Sequence, residues 1–113
     1  MIEKIIRDYL LEKLDVNVYL EIPDSMPDEF VVINIIDRSR ENYIDAVTAD
    51  IHSYASDKLS AIKLDNSVRN AMYDFIDVDE ISACKLGGGN DSNDTSIKRY
   101  RYRAFFNITY MEV

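Results

Sequence analysis

The stretch Asp50–Ala55 constrains the fold of this chain more than any other segment. Polar and apolar residues alternate up to this point, as they do in a strand with one buried face. From Ser56 to Phe75 the apolar residues instead recur every three or four positions, which is typical of a helix packed against a core. Ser56 suits the N-cap of that helix, and Asp57 places a negative charge in its first turn. The sequence therefore predicts a strand that passes directly into an amphipathic helix.

The other elements follow from the same two periodicities. Apolar residues share one helical face between Ile2 and Leu14. Phe30–Ile36 is an almost continuous apolar run, mostly β-branched, which is typical of a central strand buried on both faces. The predicted elements are a helix over Ile2–Leu14, strands over Asn17–Ile22, Phe30–Ile36 and Tyr43–Ala55, a helix over Ser56–Phe75, and strands over Ile81–Leu86 and Lys98–Tyr110; Pro23–Asp28 is a predicted loop and Asp37–Asn42 a predicted charged hairpin tip.

A single α+β domain is the expected architecture for 113 residues. The element order is α-β-β-β-α-β-β, which favours a mainly antiparallel sheet. Each amphipathic helix has one apolar stripe that must be covered. We therefore expect both helices to pack on one face of the sheet.

The net charge of −8 argues against a general nucleic-acid binder, because neutralising phosphate groups requires a basic surface. The same charge favours solubility and repulsion between monomers. Charged residues from Glu3 to Lys13 interrupt what would have to be the apolar run of a signal peptide, and no stretch approaches the length of a membrane span. We expect a soluble protein with no membrane partner, kept in a reducing cytoplasm until it is assembled.

The residues that could perform chemistry do not form a recognisable site. His52, the only histidine, lies near Asp50 on one strand face, but no serine or cysteine nucleophile accompanies them, so a solvent or subunit face explains His52 better. Cys84, the only cysteine, is expected to be buried and unreactive. One histidine and one cysteine on different strands do not make a zinc site, and Asp91 and Asp94 do not match a calcium loop. The sequence predicts no enzyme, no metal and no cofactor.

Gly87–Ser96 is a ten-residue polar stretch that holds all three glycines of the chain. It lacks the lysine-serine or lysine-threonine pair that ends the phosphate-binding P-loop, and no helix follows it. We expect a mobile loop over residues 87–96 at the tip of a hairpin, with ordering against a partner as the alternative.

Three arginines, Arg99, Arg101 and Arg103, share one face of the last strand. Like charges at this spacing repel each other unless other groups compensate them. Acidic residues of a neighbouring strand, acidic residues of another subunit and DNA phosphate groups are the three candidates. The net charge disfavours DNA among them.

The pattern as a whole resembles the tail-terminator, or tail-to-head joining, proteins of long-tailed bacteriophages. The resemblance lies in the short N-terminal helix Ile2–Leu14, the hydrophobic strand Phe30–Ile36 after a proline loop, and the junction Ile51–Ser56, where an aromatic-alanine pair precedes a small capping residue. It continues through the helix Leu59–Phe75 and an arginine- and tyrosine-bearing last strand.

This resemblance implies a protein without enzymatic activity that forms a ring, typically a hexamer, at the head-proximal end of the tail tube. Such a ring stops tube polymerisation and presents a surface to the head connector or stopper protein. The implied partners are further copies of the chain, the tail-tube protein and the connector, with DNA only as a passing contact in the ring lumen. The implied location is the virion tail, after synthesis in the host cytoplasm.

Eleven residues are candidates for a partner or oligomer interface: Asp50, His52, Tyr54, Gly87, Gly88, Gly89, Asn90, Asp91, Arg99, Arg101 and Arg103. Two other functions remain open. One is a different phage neck or head-completion component, and the other is an α+β binding module unrelated to phage.

Overall fold

The computed structural model of the chain describes residues 1–91 and 98–111. Its elements are helix α1 (Ile2–Lys13), strands β1 (Asn17–Tyr19), β2 (Glu29–Glu41) and β3 (Ile44–Ala55), helix α2 (Lys58–Tyr73), a single 3-10 turn (Phe75–Asp77), and strands β4 (Ile81–Asp91) and β5 (Tyr100–Tyr110). The order α-β-β-β-α-β-β and the α+β class are as the sequence predicts.

The five strands form one mixed sheet in the order β1-β2-β3-β5-β4. The three ladders β2–β3, β3–β5 and β4–β5 are antiparallel, and only the short β1 lies parallel to its neighbour β2. The two hairpins β2–β3 and β4–β5 are joined through the central β3–β5 ladder. As a result, β4 is the last strand at one edge and the three-residue β1 at the other.

Both helices cover one face of this sheet, as predicted. Alternate residues of β3 and β5 point to that face, among them Ala49, Ile51 and Phe106, and all are buried. They pack in one cluster with the apolar stripes of the two helices. The buried helix residues are Ile2, Ile6 and Leu10 of α1, and Ala61, Leu64, Val68 and Met72 of α2.

The opposite face of the sheet, here called the helix-free face, holds a second and smaller core. Phe30 and Tyr54 are fully buried there, with their rings stacked at a centroid distance of 4.7 Å. Val32 belongs to the same cluster, and Tyr19 and Met26 pack against it. The segment between β1 and β2 therefore folds over this end of the sheet. Burial of Phe30–Ile33 on both faces confirms the expectation for the first part of the predicted strand Phe30–Ile36, but Ile36 is 50% exposed, so the expectation is wrong for its end.

The N-cap of α2 is Asp57, which corrects the prediction of Ser56. The Asp57 carboxylate accepts a hydrogen bond from the backbone N–H of Ser60 at 2.8 Å and another from the Ser60 hydroxyl at 2.9 Å. Pairing of β3 continues to Ala55, so Ser56 forms the connection between the sheet and the helix, and the helix is capped one residue later. A carboxylate that accepts two bonds is also the stronger cap.

The predicted loop over residues 87–96 is wrong for its first half. Gly87–Asp91 continue β4 and pair with β5 as far as Tyr102. The sequence pattern failed here because three glycines have poor strand propensity, whereas the neighbouring strand β5 supplies the ladder. A register shift between Leu86 and Gly88 and a φ of 150° at Gly88 accommodate the irregularity. Residues 92–96 of the predicted loop lie outside the described residues.

The predicted charged hairpin tip over Asp37–Asn42 is also wrong in extent. Strand β2 continues to Glu41, and only Asn42 and Tyr43 form the turn. The arginines of this segment are compensated within the chain, since Arg38 binds Glu3 and Arg40 lies 3.8 Å from Asp45. Strand β1 is shorter than predicted: it ends at Tyr19, whereas the predicted strand ended at Ile22.

Candidate interaction surface

Six of the predicted interface residues lie together on the helix-free face. Asp50, His52 and Tyr54 alternate along β3, and Arg101 and Arg103 lie beside them on β5. The register pairs His52 with Arg103 and Tyr54 with Arg101. Arg99, the sixth residue, precedes β5 at the same end of the sheet.

Asp50 is the centre of a buried ion cluster on this face. Its side chain is 2% exposed, and it accepts hydrogen bonds from His52 Nε2 at 2.8 Å and from Arg103 Nη2 at 2.6 Å. Burial by itself raises the pKa of a carboxyl group, but here the hydrogen bonds from His52 and Arg103 outweigh it, and the pKa of Asp50 is lowered. The same contact raises the pKa of Arg103. Asp50 and Arg103 therefore form an ion pair, and His52 hydrogen-bonds to the same carboxylate.

Arg99, Arg101 and Arg103 each donate hydrogen bonds to other residues of the chain. Arg103 pairs with Asp50, and Arg101 donates to the Tyr54 hydroxyl at 3.4 Å. Arg99 donates from Nη2 to the Pro27 carbonyl at 3.3 Å and so reaches the segment that covers the second core. Arg103 thus has the expected acidic partner on a neighbouring strand, whereas Tyr54 and Pro27 offer Arg101 and Arg99 uncharged oxygen acceptors.

His52 and Asp50 have the geometry of a base and its orienting carboxylate. Within residues 1–91 and 98–111, the His52 side chain hydrogen-bonds only to Asp50, and no serine or cysteine nucleophile is bonded to it. Its other polar neighbour is Arg103, which binds the same carboxylate. This arrangement fixes the position of the imidazole within the sheet and holds two strands together.

The remaining predicted residues, Gly87–Asp91, lie on the outermost strand β4. Gly89 fits closely against β5, since a Cβ atom there would lie 2.3 Å from the Arg103 carbonyl oxygen and 2.4 Å from Arg69 Nη2. Gly87 is less constrained, because a Cβ atom there would meet only the end of the Asn107 side chain at 2.9 Å. Asn90 pairs with Arg103 across the β4–β5 ladder, so this end of β4 lies beside the Asp50 cluster and also forms the outer edge of the sheet.

Cys84 is half-buried on β4 and donates weakly from Sγ to the Met72 carbonyl at 3.7 Å. Burial raises the pKa of this thiol to about 11. A thiol with that pKa is overwhelmingly protonated at neutral pH, so Cys84 is a poor nucleophile.

Within residues 1–91 and 98–111, no three histidine, cysteine, aspartate or glutamate side chains converge as metal ligands would. The described helices include none with the length and apolar character needed to cross a bilayer.

Three features of the structure were not predicted from the sequence. One is the second core beneath the segment between β1 and β2. The available signal was the apolar run from Phe30 to Ile33, which predicted burial on both faces of the strand. Another is a cavity of about 500 Å³ between α2 and β4, lined by Arg69, Met72, Leu86 and Phe106 among others. No sequence periodicity reports such a space between two elements.

The third feature is a buried carboxyl group on α2. Asp65 accepts a hydrogen bond from Arg69 Nε at 2.8 Å through Oδ2, whereas its buried Oδ1 has no hydrogen-bond partner among the described residues. Burial raises the pKa of Asp65, and Arg69 offsets only part of this. The i,i+4 spacing of Asp65 and Arg69 indicates that the two side chains can pair on a helix, but it does not indicate that the pair is buried.

Comparison with known protein families and with curated proteins finds no match to this chain.

Acid titration is expected to distinguish the two buried carboxyl groups. Because the pKa of Asp50 is lowered on folding, its ionised form stabilises the fold above the unfolded value of about 3.9, and this stabilisation is lost as the pH falls through the folded pKa. Asp65 has the opposite sign: its ionisation costs stability near neutral pH, and the cost disappears on acidification.

Urea unfolding of the wild type, Asp50→Asn and Asp65→Asn at several pH values measures both effects. The advantage of the wild type over Asp50→Asn should shrink as the pH falls below about 4. The free energy of unfolding of the wild type, relative to that of Asp65→Asn, should instead increase as the pH decreases. An Asp50→Asn difference that stays constant over this range would contradict the lowered pKa.

Proposed function

We propose that this chain is a non-enzymatic structural subunit of a long-tailed bacteriophage. Copies of it form a ring at the head-proximal end of the tail tube, stop tube polymerisation and join the tail to the head. The chain is made in the host cytoplasm and ends in the virion tail. The order of its elements, which resembles that of tail-terminator proteins, supports this proposal.

The observation that carries the proposal is the free edge of β4. This strand has eleven residues and pairs with β5 on one side only; in the described part of the chain, no strand pairs with its other side. Unpaired N–H and C=O groups along an edge are ready to join another polypeptide. Register shifts near Ile81 and Leu86 interrupt the edge, which discourages indiscriminate pairing with other sheets.

The two edges of the sheet differ, which favours a head-to-tail contact between copies. The opposite edge is β1, with only three paired residues, and it leads into the segment that covers the second core. A contact between two unlike surfaces is heterologous, and it closes into a ring when the rotation between neighbours permits. The net charge of −8 opposes random association, so copies need a specific complementary surface.

The charged residues of the helix-free face support a scaffold more than a reaction centre. Asp50, His52 and Arg103 satisfy one another and fix β3 against β5. The tube protein and the connector or stopper would then meet a rigid sheet whose shape is set by these internal contacts. DNA would pass through the ring lumen without a dedicated site.

A tube polymerisation assay tests this function. The probe is the tail-tube protein encoded in the same gene cluster, polymerised with and without the purified full-length chain. We expect a small molar fraction of the chain to stop elongation and to remain bound at tube ends. A chain carrying Leu59→Ala, a change at an exposed position of α2, serves as the matched control and should act like the wild type.

Two other results would identify different functions. Binding to the connector but not to the tube would make the chain a different neck component. Binding to neither, with unaltered tube length, would remove the phage assignment and leave an α+β binding module.

A further inference from the structure

Tyr43 occupies a backbone position for which glycine is the usual residue. Asn42 and Tyr43 form the two-residue turn between β2 and β3, with φ angles of 53° and 67°. Hairpin turns of this type need positive φ at both positions, and Asn-Gly meets that need with little strain. Tyrosine is disfavoured there because its Cβ crowds the backbone. Its side chain is 80% exposed, so packing within the chain does not offset the strain.

Strain held at an exposed position points to a role outside the chain. Tyr43 is a rigid aromatic group at the end of a paired hairpin, and tyrosine is among the residues that most often anchor protein interfaces. Two neighbours on the hairpin are also exposed: Ile44 adds apolar surface, and Glu41 adds a carboxylate. The tip thus combines an aromatic ring, an aliphatic side chain and one negative charge.

The cavity between α2 and β4 is complementary to this hairpin tip in polarity and charge. Met72 and Phe106 form an apolar floor, and Leu86 is 50% exposed at its wall. Arg69 donates to Asp65 through Nε alone, and within the described residues its Nη groups have no hydrogen-bond acceptor. The space of about 500 Å³ is ample for an aromatic side chain. The cavity offers apolar surface together with unused cationic donors.

The tip of a chain cannot enter the cavity of the same chain. Phe106 at the cavity floor pairs with Ala49, which is six residues along β3 from Tyr43. At about 3.3 Å per residue, this separation is roughly 20 Å along the strand. Strand β5 also lies between β3 and β4. The two surfaces are therefore distant and unlike, and only a second molecule can bring them together.

We propose that the β2–β3 hairpin tip of one copy docks in the α2–β4 cavity of a second copy. The Tyr43 ring packs against Leu86 and Phe106, and the Glu41 carboxylate accepts hydrogen bonds from the Arg69 Nη groups. The contact is heterologous, and its repetition yields the ring that the proposed function requires, so the inference rests on that function for its biological setting.

Cysteine cross-linking of the full-length chain tests the contact directly. Because the native Cys84 is half-buried and protonated, it is replaced by serine, and Leu86→Cys supplies an exposed thiol at the cavity wall. Tyr43→Cys in this background should form a disulfide with position 86 of a second copy when oxidised with copper phenanthroline. We expect a reducible ladder of dimers and larger species that disappears in the Tyr43→Cys, Cys84→Ser double variant, which retains Leu86. Leu59→Cys in the same background, at an exposed position of α2 away from the cavity, is the control. A Tyr43→Cys ladder no stronger than that of Leu59→Cys, at the highest soluble concentration, would overturn the inference.

Tyr43→Gly provides an independent test that does not depend on impaired folding. The change creates an Asn-Gly turn, so the thermal midpoint should stay the same or rise, whereas self-association measured by sedimentation should weaken about tenfold or more. Unchanged association would overturn the inference. The same variants on tail tubes separate the two proposals. If the cysteine variants cap tubes normally but show no link between positions 43 and 86, the docking contact alone is overturned. If they form a cross-linked ladder but the chain never caps tubes, the proposed function alone is overturned.

Discussion

Replacing Gly89 with alanine is expected to lower the free energy of unfolding by about 3 kcal/mol, near the upper end of the usual cost of overpacking. The new Cβ atom would lie 2.3 Å from the Arg103 carbonyl oxygen, which is part of the β5 backbone and cannot move alone. It would also meet Arg69 Nη2 at 2.4 Å. Relief therefore requires β4 to shift away from β5, which breaks ladder hydrogen bonds around Asn90 and Arg103.

Gly87→Ala is the matched control, two residues away on the same strand. Its Cβ atom would meet only Asn107 Nδ2, the end of a side chain that can rotate away. We expect a loss of less than about 1 kcal/mol there. Urea unfolding of both variants gives the comparison. Equal losses at the two positions would show that β4 does not pack against β5 as described.

Asp50→Ala is expected to lower the free energy of unfolding by about 3 kcal/mol, because it leaves the other members of a buried ion cluster without their carboxylate. Asp50 is almost fully buried and binds both His52 and Arg103. Arg103 keeps some contact with solvent, which holds the expected loss at the low end for buried pairs. The measurement is again urea unfolding at neutral pH.

Asp45→Ala on the same strand β3 is the matched control. Its partner Arg40 is largely exposed and lies 3.8 Å away, so the pair is screened by solvent. We expect a loss of less than about 1 kcal/mol. If Asp50→Ala cost no more than Asp45→Ala, the ion cluster would not be what joins β3 to β5.

The sequence predicted the elements whose residues repeat with one clear period. The α2 stripe from Ala61 to Met72 and the alternation along β5 both led to the correct buried face. Each face of these elements meets a single environment, either core or solvent, so periodicity alone identifies the buried residues. This was enough to predict the order of elements and the packing of both helices on one side.

Predictions failed where a neighbouring element overrides local preference. Gly87–Gly89 have little tendency to form a strand, yet β5 provides a ladder that pairs Gly88 and Gly89. The burial of Asp65 by the packing of α2 on the sheet was not predicted at all, because its spacing from Arg69 is also that of an exposed helix pair. Neither outcome is encoded within a short window of sequence.

The candidate interface was anticipated only in part. The shared face of Asp50, His52 and Arg103 follows from strand alternation, but their mutual pairing depends on the register between β3 and β5. Tyr43 and the α2–β4 cavity were not anticipated. A positive φ at Tyr43 and a space between two elements are properties of the assembled fold rather than of composition or period.

Electron cryomicroscopy of tail tubes mixed with the full-length chain tests the central proposal most directly. We expect a closed ring of copies at one end of each tube, with the β2–β3 hairpin of each copy seated against α2 and β4 of its neighbour. Isolated copies scattered along the tube wall, or tubes whose ends remain bare at saturating protein, would contradict the assignment of this chain as a ring-forming terminator.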